Sequence, residues 1–345
     1  MAKLFPIILA LGTFLCATTA AHAQQRNQLV VLSATDTTAF ANVLHSFEVK
    51  FPNIKIDYQE YNTRELYEHV LSGQHAGDVI ISSAMDLQTD LVNKGLAHRF
   101  QPAKLADSPE WSYWLDSLFG FTFEPVAMVY NREAFAELKL PDTRSELAGL
   151  IRDNPSFFAG KIGTYDIGQS GVGYLLATQD TQRGYLYSRL IETFGRARAK
   201  VYCCTSEMIE QIAAGELVLG YNILGSYAHN AATQNAQIGI KLFEDYALVM
   251  TRTAFVAKGS TNLSQAKTFV SYLLSQEGQQ AISGSSSLIP LHERSRSMEV
   301  RSLLQSSRAL LPIRLGPNLL TYLDEIKRDQ FLSDWHASLD VNEPQ

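Results

Sequence analysis

Apolar and polar positions divide the first ninety-five residues into alternating runs. Gln28 to Ala34, QLVVLSA, is an apolar run of strand length, and Thr35-Asp36-Thr37-Thr38 follows it with N-cap residues. Phe40, Val43, Leu44, Phe47 and Phe51 recur at helical spacing, and Pro52-Asn53 stops that helix. Ile54 to Tyr58 alternates as a second strand, and Asn62-Thr63-Arg64-Glu65 opens a helix that ends near Gly73. Asp78 to Ser82 is a third strand, and Ser83 to Asp86 opens a helix that reaches Gly95. Strand and helix in strict succession predict an α/β fold with a helix-covered, parallel sheet. Ligands of such sheets lie beyond the carboxyl ends of the strands, which selects Ser33-Ala34-Thr35 and Ser82-Ser83-Ala84.

The pattern restarts after a buried-strand signature at Phe123 to Glu133, where Val126 to Val129 is bounded by Pro125 and Asn131. Asn131 is expected to cap a helix over 132–138, and a second helix is expected over 145–152. Residues 160–165 read as a strand that enters a turn, Gly168-Gln169-Ser170-Gly171-Val172-Gly173, and then a helix. Such a turn aims backbone N–H groups, the helix dipole and a hydroxyl at one point, which suits an anion. No Lys-Ser/Thr pair follows, so it is not a P-loop, and a plain turn capped by Ser170 is the other reading. Further on come a helix over 185–194, a short strand at 201–202 and a helix capped at Cys204-Thr205. A strand over 216–222 then ends in the small-residue turn Gly225-Ser226-Tyr227. Residues 239–243 are β-like, 247–256 read as one long strand, and the rest is mostly helical to Leu339. Trp111, Tyr113 and Trp114 form an aromatic cluster that reads either as core packing or as a ligand wall.

A chain of 345 residues, 46% hydrophobic and 19% charged, is expected to form two domains. A net charge of −6 gives no support for nucleic-acid binding. Met1 to Ala23 has a positive start, a short apolar run and an Ala21-His22-Ala23 ending, which predicts a signal peptide cleaved before Gln24 and a periplasmic mature chain. The mature part keeps two cysteines, Cys203 and Cys204, which either stay as thiols or close a vicinal disulfide. No histidine stands in a metal or triad spacing, and Gly168 to Val172 lacks the second glycine of a nucleophile elbow. The expectation is a non-enzyme without metal or cofactor.

Four features together resemble the type II periplasmic solute-binding proteins of ABC uptake systems. They are the signal peptide followed by strand-loop-helix, the apolar strand closed by Tyr130-Asn131-Arg132-Glu133, the late helix leading to Glu277-Gly278-Gln279, and Leu288-Ile289-Pro290-Leu291 soon after it. The resemblance implies two α/β lobes, each a mixed, mostly parallel sheet flanked by helices, joined by two hinge strands. Lobe one would hold 24–126 and 251–345, and lobe two 127–250. The cleft would be lined by Ser33, Thr35, Ser83 and Ala84 from lobe one. Gln169, Ser170, Gly171, Val172, Thr205, Gly225, Ser226 and Tyr227 would line it from lobe two. Within the family the chain looks nearest the ferric-ion, phosphoglycerate and sugar-phosphate binders. It lacks the adjacent tyrosine pair that holds iron in the ferric proteins, so a small organic anion, phosphoester or di- or tricarboxylate, is the expected ligand and iron the alternative. Arg64, Arg132 and Arg252 are candidates to pair with it. The implied partner is an ABC permease or a sensor histidine kinase in the inner membrane, with a monomer as the working unit.

Overall fold

In the computed structural model, residues 28–284 and 287–339 are described. The expected signal peptide lies outside them. The elements run β1 (Gln28–Ser33), α1 (Thr37–Lys50), β2 (Lys55–Glu60), α2 (Thr63–Leu71), β3 (Val79–Ser82) and α3 (Met85–Asn93). Next come β4 (Tyr113–Trp114), β5 (Leu118–Gly120), β6 (Glu124–Asn131), α4 (Arg144–Asp153), α5 (Pro155–Phe158), β7 (Ile162–Tyr165), α6 (Gly171–Thr181) and α7 (Leu186–Arg196). They are followed by β8 (Lys200–Tyr202), α8 (Thr205–Ala213), β9 (Leu219–Leu224), α9 (Gly225–Gln234), β10 (Ile238–Lys241), β11 (Ala247–Met250) and β12 (Thr253–Val256). The chain closes with α10 (Leu263–Leu273), α11 (Gln276–Ser283), α12 (Met298–Gln305), β13 (Leu310–Pro312) and α13 (Glu325–Leu339).

Two mixed sheets result. The first has the order β2-β1-β3-β12-β5-β4, with β1 parallel to β2 and β3, and β12 antiparallel to β3 and β5. The second has the order β13-β11-β6-β9-β7-β8, with β10 also paired to β6. Helices cover both sheets, as their near-continuous apolar strands require: all four residues of β3 and all eight of β6 are buried. In the first core Phe47 meets Phe269 edge-on, with ring centroids 4.8 Å apart, joining α1 to α10.

The stretch expected as one strand over 247–256 is two, because β11 belongs to the second sheet and β12 to the first. The chain changes sheets at Thr251-Arg252, and earlier between Gly120 and Glu124. The helix expected over 132–138 does not form. Asn131 does cap that turn, accepting from Ala134 N at 3.0 Å. A single i→i+4 bond, from Phe135 N to Asn131 O at 3.2 Å, is followed by i→i+3 bonds from Ala136 to Glu133 and from Leu138 to Phe135, and Pro141 lies too close for a helix to propagate. The tail holds a strand that periodicity did not reveal: β13 lies parallel to β11, beyond the reach of any three-residue pattern. Beyond it, α13 packs on α7, and the Tyr174 hydroxyl donates to Tyr322 O at 2.6 Å.

Candidate functional site

The two sheets turn the carboxyl ends of their strands toward a shared cavity of about 130 Å³. Its lining includes Asp36 and Asn62, which cap α1 and α2, and Ser83 just before α3. Ser170, the cap of α6, faces them together with Cys204, the cap of α8, and Leu224, the cap of α9. Six helix N-termini therefore meet at one place, each with amides that its own helix cannot pair. A roomier groove of about 560 Å³ lies between α4 and α7 and is lined mainly by the flanks of those two helices.

The Ser170 turn is not an open cradle. The Asp166 carboxylate accepts from Gly168 N at 2.9 Å and from Gln169 N at 3.2 Å. Ser170 Oγ accepts from Gly173 N at 3.2 Å, and Thr63 Oγ1 accepts from Gly171 N at 2.9 Å. The last bond runs from α2 beside the first sheet to α6 beside the second. Gly171 permits that approach, since a Cβ there would stand 2.8 Å from Leu87 Cδ1. The open amides lie elsewhere. Cys204 and Leu224 make no side-chain bond to the first turns of α8 and α9.

Of the residues expected from sequence, Ser83, Gln169, Ser170, Val172, Thr205 and Tyr227 line the cavity. The others sit just behind it. Ser33 Oγ accepts from Tyr58 at 2.8 Å, and Ala84 packs against Gly171. Gly225 lies where a Cβ would meet Pro125 O at 2.6 Å, and Ser226 Oγ is buried without a partner. Thr35 Oγ1 accepts from Arg252 Nη1 at 2.8 Å. Asp36, Asn62, Thr63, Cys203, Cys204 and Ser206, which read from sequence as caps, helix starts or redox groups, also line the cavity, as does Tyr61, which no sequence pattern marks. Trp111 packs on Phe123, with centroids 6.2 Å apart, and no member of that aromatic cluster is in the lining.

Arg252 is the cation of the site. It is 1% exposed, its Nε donates to Glu124 Oε1 at 3.2 Å, and its Nη2 has no partner. Its guanidinium carbon lies 5.2 Å from the centre of the Tyr227 ring. Burial pushes the Tyr227 phenol well above its ordinary range, with Arg252 opposing and Asp36 adding to the rise. The other two arginines turn elsewhere: Arg64 pairs with Glu68, and Arg132 donates to Ile238 O. Cys203 and Cys204 form a vicinal disulfide on the cavity wall.

A buried network holds the second-sheet side of the cavity in place. Asp180, near the end of α6, accepts from Tyr221, Asn222 and Tyr246 at 2.9, 2.8 and 2.7 Å. Arg144 Nε donates to the Tyr221 hydroxyl at 2.7 Å and Nη1 to Asp245 at 2.8 Å. Asn222 takes a positive φ of 62°, a conformation asparagine tolerates, and this brings its amide to Asp180. Strand β9 and helix α6 are thereby fixed relative to each other, together with the turns at their ends.

Two α/β units face each other across a cleft of helix N-termini, the architecture of a protein that clasps a ligand between two lobes. The chain belongs to the bacterial extracellular solute-binding proteins, whose family model matches residues 29–285. It is similar to the substrate-binding protein of an ABC transporter from Agrobacterium tumefaciens, with 32% identity, a TM-score of 0.84, and 91% of this chain and 94% of that one covered. AfuA of Actinobacillus pleuropneumoniae, solved with fructose-6-phosphate, shares the fold at 16% identity and a TM-score of 0.73, covering 91% of this chain and 99% of its own. Iron-bound HitA of Pseudomonas aeruginosa does so at 18% identity and a TM-score of 0.71, covering 90% and 99%. No curated protein sequence matches significantly. The family serves ABC importers, is not enzymatic and works outside the cytoplasm.

Proposed function

We propose that this solute-binding protein captures a small organic anion, a phosphoester or a di- or tricarboxylate, and hands it to an ABC permease. The observation that carries this reading is the unpartnered Nη2 of buried Arg252 beside the open N-termini of α8 and α9. A buried guanidinium donor without an acceptor is costly, and an anionic ligand supplies the acceptor. Glu124 and Asp36 offset the charge of Arg252, so the donors set orientation as much as net attraction. Ser33, Thr35, Ala84, Gly171, Gly225 and Ser226 support the lining from behind, and Ser83, Ser170, Thr205 and Tyr227 meet the ligand. A sensor kinase that recognises the closed form is the alternative partner.

The sheet changes near Phe121 to Phe123 and at Thr251-Arg252 are the natural hinges. This sets the first hinge upstream of the lobe boundary between 126 and 127 that the family resemblance implies, because β6 stays in the second sheet from Glu124 onward.

Ferric iron is the second reading, favoured by the oxygens of Asp36, Tyr61 and Tyr227 on the same wall. Iron takes phenolate, and the sequence has no adjacent tyrosine pair to supply two of them. Native mass spectrometry of the protein as purified, with thermal melting against glucose 6-phosphate, citrate and ferric citrate, separates the two. Bound organic mass, or a melting rise with metal-free anions, supports the anion. A rise and a visible charge-transfer band with ferric citrate alone overturns it.

A further inference from the structure

The disulfide stands on a wall where three other helix N-termini carry polar caps. Asn62 and Ser170 accept from first-turn amides of their helices and the Asp36 carboxylate stands at the head of α1 without such a bond, whereas α8 is headed by Cys204, whose sulfur is bound to Cys203 and makes no cap bond. A disulfide has no hydrogen to donate, accepts weakly and is polarizable. Closing a ring between neighbouring residues also removes the freedom that two thiols would have. The result is a rigid apolar plate at the head of a helix whose first amides are left open. Val172, Leu224 and the rings of Tyr61 and Tyr227 share the same cavity and extend its apolar surface. A bare inorganic ion has no use for such a wall. The space of about 130 Å³ is several times what one water-sized group needs.

We propose that the Cys203–Cys204 disulfide is a specificity-determining contact, a plate on which the apolar face of a ring-bearing anion, such as a sugar phosphate, lies while the open helix amides and Arg252 hold its charged end. This deepens, and rests on, the anion reading given above. It narrows the ligand class from any small organic anion to one with a flat carbon face.

The test compares a ringed probe, glucose 6-phosphate, with two ringless ones, citrate and inorganic phosphate, by calorimetric titration. The wild type is titrated oxidised and again in dithiothreitol, a neutral reductant that does not compete as an anion. Cys203→Ser/Cys204→Ser is titrated in parallel. The oxidised wild type is expected to prefer the ringed probe, and both reduction and the double substitution are expected to shrink that preference about tenfold. Reduction needs no refolding, so it decides the matter even if the double variant does not fold. Equal loss for ringed and ringless probes makes the disulfide only a support for the α8 N-terminus and overturns the proposal. So does an unchanged preference, or a wild type that takes ringless anions as tightly as the ringed one; each of these leaves the anion reading standing. A wild type that binds none of the three overturns both.

Discussion

Arg252 concentrates the residue-scale chemistry. Its ion pair with Glu124 is sealed from water, with side-chain exposures of 2% and 0%. Removing one member of such a pair strands the other charge and costs about 3–5 kcal/mol. Arg252→Met is therefore expected to lower stability by that order in urea unfolding and to abolish the thermal shift given by anions. Arg252→Met/Glu124→Leu is expected to recover most of the stability without the ligand response. A double variant that regains the response would remove Arg252 from the site. Gly225 makes a second residue-scale case. Its missing Cβ leaves room for Pro125 O at 2.6 Å, so Gly225→Ala is expected to cost roughly 1–3 kcal/mol by forcing β6 and α9 apart. Calorimetric melting reads that loss directly.

Helix α3 carries a pH dependence at the scale of the element. Asp86 is fully buried in its first turn, Oδ1 has no partner, and burial pushes its pKa up to about 7. A carboxyl whose folded pKa is raised favours the folded state only while it is protonated. That contribution is whole below the unfolded value near pH 4 and is lost as pH rises through about 7. Asp86→Asn is expected to flatten the stability profile between those values and to gain up to about 4 kcal/mol at pH 8. Unfolding curves at pH 4, 6 and 8 check it, and a variant that parallels the wild type across that range would contradict it. Elements were also where sequence patterning worked best. Long periodic helices such as α1 and α7 stand close to where their apolar spacing put them, because one buried face dictates them locally. The turn over 132–138 and strand β13 were not legible. A short segment takes its conformation from its neighbours, Pro141 in one case and β11 in the other.

At the scale of the molecule, the bond from Gly171 N to Thr63 Oγ1 latches helices from the two sides of the cleft. Thr63→Ala is expected to open the ligand-free protein, raising its radius of gyration in small-angle scattering, while saturating ligand restores the compact form. An unchanged ligand-free radius would mean that the latch does not govern closure. The sequence by itself determined the α/β succession, the two units and most helix caps, because periodicity and capping are local and each is written within a dozen residues. It also pointed to Ser83 and Ser170, since ends of strands and starts of helices can be read in order, and the family resemblance added Thr205 and Tyr227. Only the tertiary structure decided which of those ends face each other. It filled the Ser170 turn from within through Asp166 and from across the cleft through Thr63, and left the N-termini of α8 and α9 open. It brought Arg252 and the joined pair Cys203 and Cys204 into the cavity. Those outcomes depend on contacts between residues far apart in the chain, such as Arg252 with Thr35, 217 positions away, and no local pattern encodes distances of that kind.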